Sequence, residues 1–311
     1  MSNPSSVVRK IDTIENIGCP KMIRRPAVAS PSMDFAGLMQ TLGETFAARD
    51  VMVPLSSIEF VAPGDEDGAR QIVAAKRYSV VPVSSDGKNF ASVFCTARSA
   101  NGGRTITTIR ATSISDHIPD STPLADAFFL FEDREWYLTL SRNRVSGLLT
   151  YWGFNGREFR IQLYAALSRI EELSRDVLAK DGCGVSDDGG LNLATKVLEK
   201  VRAQFDLTRR EMGGNRFVDE LQFHEVHDAL RKHLTWRDFL QQRLARKLSN
   251  SEYDRRYNFT RMRDKVMHGR VLFPTYPIFE QFTGVIDNIA EFIGHLDAYT
   301  ESPVTEPRSD I

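Results

Sequence analysis

The stretch Ser79-Val80-Val81-Pro82-Val83, followed by Asp86-Gly87, decides the fold of the first half of this chain. A short apolar run bounded by turn residues is typical of a buried strand, and Asp-Gly is a frequent hairpin turn. The spacing therefore predicts a strand over Val80–Val83 and a returning strand over residues 90–96. Upstream of this hairpin, residues 57–63 predict a short strand and residues 65–77 a helix.

The same order of elements is predicted again about sixty residues further on. Residues 114–120 are extended, and a helix begins near Leu124 and runs to about residue 132. Strands follow over residues 136–140 and 145–150, joined by a turn at Arg142-Asn143-Arg144. Two copies of strand, helix, strand, turn and strand form an internal repeat. A short amphipathic helix is predicted before the first copy, from the helical spacing of Phe35, Leu38, Leu42 and Phe46.

This repeat resembles a tandem pair of CBS domains (cystathionine β-synthase type). The first hairpin carries the resemblance in one copy, and Val145-Ser146-Gly147-Leu148-Leu149-Thr150 carries it in the other. The resemblance implies two modules packed sheet to sheet, with clefts between them that bind adenine nucleotides. The last strand of that family carries a Thr and then an Asp that grips a ribose.

Thr150 matches the family's Thr, whereas Gly153 and Arg98 stand at the two Asp positions. Thr150 and Arg98 are therefore the nucleotide-binding candidates, with Arg98 either meeting a phosphate or remaining solvated. An adenine nucleotide is the ligand that the resemblance implies. The alternative is a pair with a structural or dimerising role.

The pattern changes after Asn155, where an apolar stripe at helical spacing predicts a helix over residues 157–180. Further helices are predicted over residues 191–212, 217–234, 236–248, 253–268 and 277–299. The predicted fold class is α+β, an N-terminal α/β pair followed by an all-α bundle. The predicted boundaries are a flexible arm over residues 1–32, the pair over 33–155, the bundle over 156–300 and a disordered tail over 301–311.

One motif in the bundle suggests chemistry: Arg263-Asp264-Lys265-Val266-Met267-His268, followed by Gly269. A guanidinium can hold a phosphate through two hydrogen bonds, and an imidazole can move a proton near neutral pH. Gly269 is expected to end the helix in a left-handed residue, and Asp264, one turn before His268, can hold its ring. The segment is the most basic of the bundle, and Arg261, Lys265 and Arg270 are the expected phosphate contacts.

This segment resembles the signature of HEPN domains (higher eukaryotes and prokaryotes nucleotide-binding), an Arg followed by a small polar residue and then by a His. The resemblance spans about residues 157–299 and implies a metal-independent ribonuclease that works as a dimer. It assigns catalysis to Arg263 and His268, with Asp264 between them. Other domains of this type are inactive scaffolds or sensors.

Five residues turn a helix by about 140°, so Arg263 and His268 do not share one face of an ideal helix. A compact site would need the helix to end or bend near His268, or a second copy of the chain, related by a two-fold axis, to be brought alongside. The alternative interpretation is that Arg263 binds a neighbouring carboxylate while His268 caps its own helix.

Other features limit the function classes. His224 and His227 are spaced to meet a metal or to lie as a helix-surface pair, and no metal site is predicted. The aromatic run at residues 151–154 either stacks a base or packs between the two parts. A net charge of −1 argues against non-specific coating of nucleic acid.

No membrane span is predicted, and three widely spaced cysteines favour a reducing compartment, so the expected location is the cytoplasm. The predicted function is a regulated RNA-cleaving effector, with tRNA among the candidate partners. The competing function is a non-catalytic module that senses a small ligand or dimerises.

Overall fold

The computed structural model describes residues 37, 39–40, 46–76, 78–98, 104–132, 134–211 and 216–302. The predicted arm over residues 1–32 lies outside the described residues, as does the predicted tail beyond residue 302. Most of the predicted helix over residues 35–46 lies outside them too.

The first part of the chain is mixed α/β, and its described strands form two sheets. The strands are β1 (Val53–Pro54), β2 (Val80–Val83), β3 (Ser92–Arg98), β4 (Arg104–Ala111), β5 (His117–Pro119), β6 (Trp136–Ser141) and β7 (Arg144–Thr150). Helices α1 (Ala48–Val51), α2 (Glu66–Lys76) and α3 (Leu124–Phe129) accompany them. One sheet has the order β1-β7-β6-β5 and the other has the order β2-β3-β4.

The predicted repeat is confirmed in the order of its elements. In the first copy Val61 bridges Val83 in parallel, α2 follows, and β2 and β3 form an antiparallel hairpin. In the second copy β5 pairs in parallel with β6, α3 lies between them, and β6 and β7 form the hairpin. Arg142 and Asn143 have φ of 49° and 63°, as a two-residue hairpin turn requires.

The two sheets pack against each other, as the resemblance implies. Val80 and Val93 of one sheet share an apolar cluster with Trp136, Leu138 and Leu148 of the other. At one edge of this cluster the buried Asp116 carboxylate accepts hydrogen bonds from Arg110 and Arg134, each at 2.7 Å. Burial of apolar side chains from both sheets, with a paired carboxylate beside them, stabilises the two copies as one unit.

Two elements of this part differ from the prediction. Strand β4 was not predicted, although its run of β-branched residues favours a strand, and it pairs along the full length of β3. The strand predicted over residues 57–63 is reduced to a single bridge at Val61. A 3₁₀ turn over Leu55–Ser57 and the turn that follows Pro63 leave too short a segment for a ladder.

The second part of the chain is helical, which confirms the predicted change of character after Asn155. Its described α-helices are α4 (Arg157–Lys180), α5 (Thr195–Glu211), α6 (Phe223–Lys232), α7 (Leu234–Arg243), α8 (Asn250–Tyr257), α9 (Thr260–Met267) and α10 (Tyr276–Glu301). None of the helices within the described ranges has the length and apolar character needed to cross a bilayer.

The prediction of a single helix over residues 253–268 is wrong, because the helical conformation is interrupted between α8 and α9. Asn258 ends α8 in an extended conformation, and its side-chain oxygen accepts a hydrogen bond from the Thr260 N–H at 3.1 Å. Tyr257 and Phe259 on either side of the break are both buried. The break lets both rings enter the core, which a continuous helix would not allow.

The helix predicted over residues 217–234 also begins later than expected. Residues Phe217–Glu220 form a 3₁₀ turn, and α6 begins only at Phe223. The Glu225 carboxylate accepts the Gln222 N–H at 2.7 Å and so caps the start of α6.

An aromatic cluster joins the α/β part to the helices. The Phe128 ring of α3 lies 5.0 Å from Phe159 of α4 and 4.6 Å from Phe279 of α10. Tyr151 and Phe154 are buried beside them, which confirms that these two residues of the aromatic run pack between the two parts. The cluster fixes the helices against the sheets by burying large apolar surfaces from both.

Candidate active-site groove

Two adjoining polar clefts lie between α6 and the junction of α8 and α9. One has a volume of about 600 Å³ and the other about 480 Å³, and they share His224 and Thr260. We call the pair the α6–α9 groove. The larger cleft is lined by His224, His227, Asp228, Arg231, Asp254, Arg255, Asn258, Thr260 and Arg261. The smaller cleft is lined by Glu171, Leu221, Gln222, Phe223, His224, Thr260, Arg263 and Asp264.

Arg263 enters the smaller cleft from α9 and is held there by two contacts. Its Nη2 lies 3.4 Å from Oε2 of Glu171 on α4, and its guanidinium carbon lies 5.3 Å from the centre of the Phe223 ring. Glu171 also accepts a hydrogen bond from Arg175 at 2.6 Å. The Arg263 side chain is 30% exposed, so its outer donors face the cleft while one edge is paired. This contact between Arg263 and Glu171 within one chain is the arrangement expected from the alternative interpretation, in which the arginine binds a neighbouring carboxylate.

His268 lies elsewhere on the same helix. It is the C-terminal cap of α9, and the N–H groups of Gly269 and Arg270 bond the Val266 and Lys265 carbonyls at 3.3 and 3.0 Å. Gly269 has φ of 62°, which confirms the predicted left-handed end of the helix. His268 is exposed and is outside the lining of the α6–α9 groove. Arg263 therefore lines the groove, whereas His268 caps the end of the same helix and is not among the lining residues.

The other motif residues divide between the groove and the open surface. Asp264 lines the smaller cleft beside Arg263, and its carbonyl accepts the His268 N–H at 3.0 Å. Arg261 lines the larger cleft, whereas Lys265 and Arg270 are exposed residues of the last turn and the cap. Arg261 therefore joins Arg263 in the groove.

His227 is held within the larger cleft. Its Nε2 lies 3.4 Å from Oδ1 of Asp254 on α8, whose other oxygen lies 3.3 Å from Arg231. The ring is packed 5.5 Å from that of Tyr253, and the side chain is only 10% exposed. Burial lowers the pKa of His227, against the opposing effect of the Asp254 carboxylate, so the neutral imidazole is favoured.

His224 differs from its neighbour one turn later on α6. Its side chain is 57% exposed and faces both clefts, with Nε2 4.0 Å from a Glu225 oxygen. The two histidines thus line one groove from one helix, as their spacing allows. No group of three His, Cys, Asp or Glu side chains suited to a metal ion occurs among the described residues.

Sequence reasoning missed the groups that complete the groove. Glu171 lies 92 residues before Arg263, and Asp254 lies 27 residues after His227. No local pattern links residues so far apart in the chain. Outside the Arg263 motif, the spacing of His224 and His227 was the local pattern that pointed to this groove.

The nucleotide-binding candidates occupy different sheets. Thr150 ends β7 opposite Trp136 and is half-buried, whereas Arg98 ends β3 opposite Arg104. Thr150 and Arg98 thus end the second strands of the two hairpins, one in each sheet.

Comparison with known protein families gave no match, and comparison with curated proteins gave none either. Among solved structures, the chain is similar to the CBS domain of a bacterial CNNM/CorC family Mg²⁺ transporter in complex with ATP. The identity is 16% over 39% of this chain and 91% of that chain, with a TM-score of 0.29.

Proposed function

We propose that the helical part is a metal-independent endoribonuclease of the HEPN type and that the α/β part is a CBS-type pair that regulates it. The observation that carries the proposal is the α6–α9 groove, in which Arg263 and Arg261 face an open space beside histidines. RNA is the expected substrate, with tRNA among the candidates, and the acting form is expected to be a homodimer.

The charges of the groove suit a phosphodiester. Arginine binds phosphate through paired N–H donors, and Arg231, Arg255, Arg261 and Arg263 line the two clefts. Glu171, Asp228, Asp254 and Asp264 also line them and equal the four arginines in number, so the positive charge is local to single guanidinium groups. Such a site selects one phosphate at a defined place and does not coat a long nucleic acid.

The proposed reaction is a transesterification. A neutral imidazole takes the proton of a ribose 2′-hydroxyl, and the 2′-oxygen forms a bond to phosphorus as the bond from phosphorus to the 5′-oxygen breaks. The imidazolium then gives its proton to the leaving 5′-oxygen. The products are a 2′,3′-cyclic phosphate and a 5′-hydroxyl. Arg263 donates hydrogen bonds to the phosphoryl oxygens, where negative charge increases in the transition state.

The resemblance assigns the imidazole to His268. His268 of the same chain is not among the residues that line the groove, so we expect the histidine to come from a second copy. A dimer that placed the α9 ends of two chains side by side would supply it.

A second function, a non-catalytic regulatory or dimerisation module, is favoured by the Arg263 contacts. The pairing of Arg263 with Glu171 and the capping position of His268 are what a purely structural role for both residues would give. In that case the groove would hold a ligand without cleaving it.

The test is to incubate the purified protein with tRNA and with a single-stranded RNA oligonucleotide in the presence of EDTA. We expect cleavage to products ending in 2′,3′-cyclic phosphate, and an Arg263→Ala loss of at least about 100-fold. Arg202→Ala is the matched control, because Arg202 lies on α5, pairs with Asp188 at 2.6 Å and lines neither cleft; it is expected to cut as the wild type does. Absence of cleavage by the wild type would leave the non-catalytic function, whereas full activity of Arg263→Ala would show that Arg263 takes no part in the cleavage.

The regulatory half of the proposal has its own test. ATP, ADP and AMP are titrated against the full chain by calorimetry, and the cleavage rate is measured with and without each. We expect one of them to bind and to change the rate, and Thr150→Ala to weaken that binding. A chain that binds none of the three would reduce the α/β part to a structural or dimerising role.

A further inference from the structure

We propose that a second cleft, between the first two turns of α4 and the end of α9, binds a nucleotide of the RNA that flanks the scissile phosphate. We call it the α4–α9 cleft. It has a volume of about 500 Å³, and its lining includes Arg157, Arg160 and Tyr164 of α4 with Val266 and Met267 of α9. This inference rests on the proposed ribonuclease function and adds to it an RNA-binding site outside the α6–α9 groove.

The first argument is the charge of the α4–α9 cleft. Arg157 and Arg160 line it, and none of the described residues in its lining is acidic. Neither arginine takes part in an ion pair within the described ranges, and the Arg160 Nε is buried there without a hydrogen-bond partner. The Glu158 carboxylate lies instead over the start of α4, 3.1 Å from the position that a Cβ would take on Gly156. The positive charge of this cleft is therefore left for an anion, whereas the arginines of the α6–α9 groove face an equal number of carboxylates.

The second argument is the contact between this cleft and the turn that carries His268. Arg160 Nη1 lies 3.1 Å from the position that a Cβ would take on Gly269, so the guanidinium packs on the backbone of that glycine. Met267 lines the cleft, and His268 stands between Met267 and Gly269 in the chain. Because consecutive Cα atoms are about 3.8 Å apart, an anion bound by Arg160 lies close to the turn that carries His268.

Asn155 holds this turn against the start of α4. Its Oδ1 accepts the N–H groups of Leu272 and Phe273 at 2.8 and 2.9 Å, and its Nδ2 donates to the Phe273 carbonyl at 3.1 Å. Leu272 and Phe273 are both buried. One side chain beside α4 thus fixes the backbone that follows α9, so the two walls of the cleft are held in place before a ligand binds. A preformed site avoids the entropic cost of ordering its walls.

The third argument is the apolar surface beside the two arginines. Tyr164 is 44% exposed and Met267 is 50% exposed. An open aromatic ring next to cations suits a single-stranded nucleotide, whose base stacks on the ring while its phosphate binds an arginine. A second copy of the chain is the other candidate occupant. A two-fold contact centred on this cleft would bring the arginines of both copies together without an acid in the described lining to compensate them, so charge favours RNA.

The first experiment measures binding by the full chain of a single-stranded oligonucleotide that has 2′-deoxyribose at each position, by fluorescence anisotropy over a range of salt concentrations. Arg160→Met keeps an apolar stem and removes the charge. We expect it to weaken binding about tenfold at low salt. It should also reduce the slope of the logarithm of the binding constant against that of the salt concentration by about 0.7, the value for one lost phosphate contact to a single strand. Tyr164→Ala should weaken binding at least about fivefold, and Tyr164→Phe should not.

Arg169→Met is the matched control, because Arg169 lies on the same helix but pairs with Asp297 at 3.1 Å. We expect it to bind as the wild type does. With an RNA substrate, Arg160→Met should raise KM and leave kcat within about threefold, because Arg160 holds a nucleotide beside the reacting phosphate and not the phosphate itself. Arg263→Ala should lower kcat instead.

The outcomes separate this inference from the proposed function. If Arg160→Met and Tyr164→Ala bind and cut as the wild type does while Arg263→Ala does not cut, the inference is overturned and the proposed function stands. If either variant weakens a dimer in sedimentation measurements and leaves the salt slope unchanged, the cleft is an interface between copies and the inference also fails. If the wild type binds the oligonucleotide through these residues but cuts no RNA, the proposed function is refuted and the binding site stands. A wild type that neither binds nor cuts refutes both.

Discussion

Replacing Glu171 with Gln should strengthen RNA binding, because Glu171 competes with a phosphate for Arg263. The two side chains are 3.4 Å apart, with Glu171 14% and Arg263 30% exposed. A carboxylate at this distance lowers the attraction of the guanidinium for another anion. The Glu171→Gln change keeps the size of the side chain and an acceptor oxygen but removes the negative charge.

The magnitude follows from the geometry. A partly exposed ion pair is worth up to about 1 kcal/mol, so removing the competing charge should tighten phosphate binding by about fivefold. Arg175 loses its charged partner but keeps the Val218 and Leu221 carbonyls at 3.2 and 2.7 Å. The cost to the fold should be about 1 kcal/mol, a fall of about 2–4 °C in Tm.

The assay is fluorescence anisotropy with an oligonucleotide that has 2′-deoxyribose at each position, so that binding is measured without cleavage. Glu172→Gln is the matched control, since the neighbouring Glu172 is 64% exposed and pairs with Arg169 at 3.7 Å instead. We expect Glu171→Gln to bind about fivefold more tightly at low salt, Glu172→Gln much less so, and the difference to shrink as salt rises. If Glu171→Gln folds normally and binds no more tightly than Glu172→Gln, Arg263 does not hold the phosphate.

Three further predictions concern the fold. Phe128→Ala should lower the unfolding free energy by about 3–5 kcal/mol, because Phe128 is fully buried where the sheets meet the helices; urea denaturation measures this, and a loss under about 1 kcal/mol would contradict it. Asp116→Asn should cost about 2–3 kcal/mol by the same method, since two arginines lose a buried charged acceptor, and unchanged stability would show that the pairs are replaced by water. Stability should also fall as the pH drops from about 7.5 to about 5.5. Burial lowers the pKa of His227 and His233 in the folded chain, so the unfolded chain binds more protons than the folded chain below about pH 6.5. His227→Gln should flatten part of this slope, and a flat profile for the wild type would rule the effect out.

Local sequence patterns determined most of the elements. The apolar run at Val80–Val83 with its Asp-Gly turn, and the stripe that became α4 over Arg157–Lys180, each carry their signal within a few residues. Hydrophobic periodicity and turn chemistry act over this short range, so the repeat and the helical second half were readable from the residues alone. Gly269 ended α9 as predicted for the same reason.

Patterns failed where burial competed with local propensity. The residues from 253 to 268 read as one basic helix, yet the core takes up Tyr257 and Phe259, and the chain breaks between them. Helices that are distant in the sequence decide whether a ring is buried at this point. A local pattern contains no information about those helices.

The sequence by itself showed that Arg263 and the histidines considered for the site belong to the helical half of the chain. Only the tertiary structure decided which of them meet. Arg263 pairs with Glu171 and shares a cleft with His224, while His268, five residues further along, lies outside it. The physical reason is that the groove is made of side chains from different helices, and how those helices pack decides which side chains lie together. The spacing of residues along one helix shows only which of them cannot share a face.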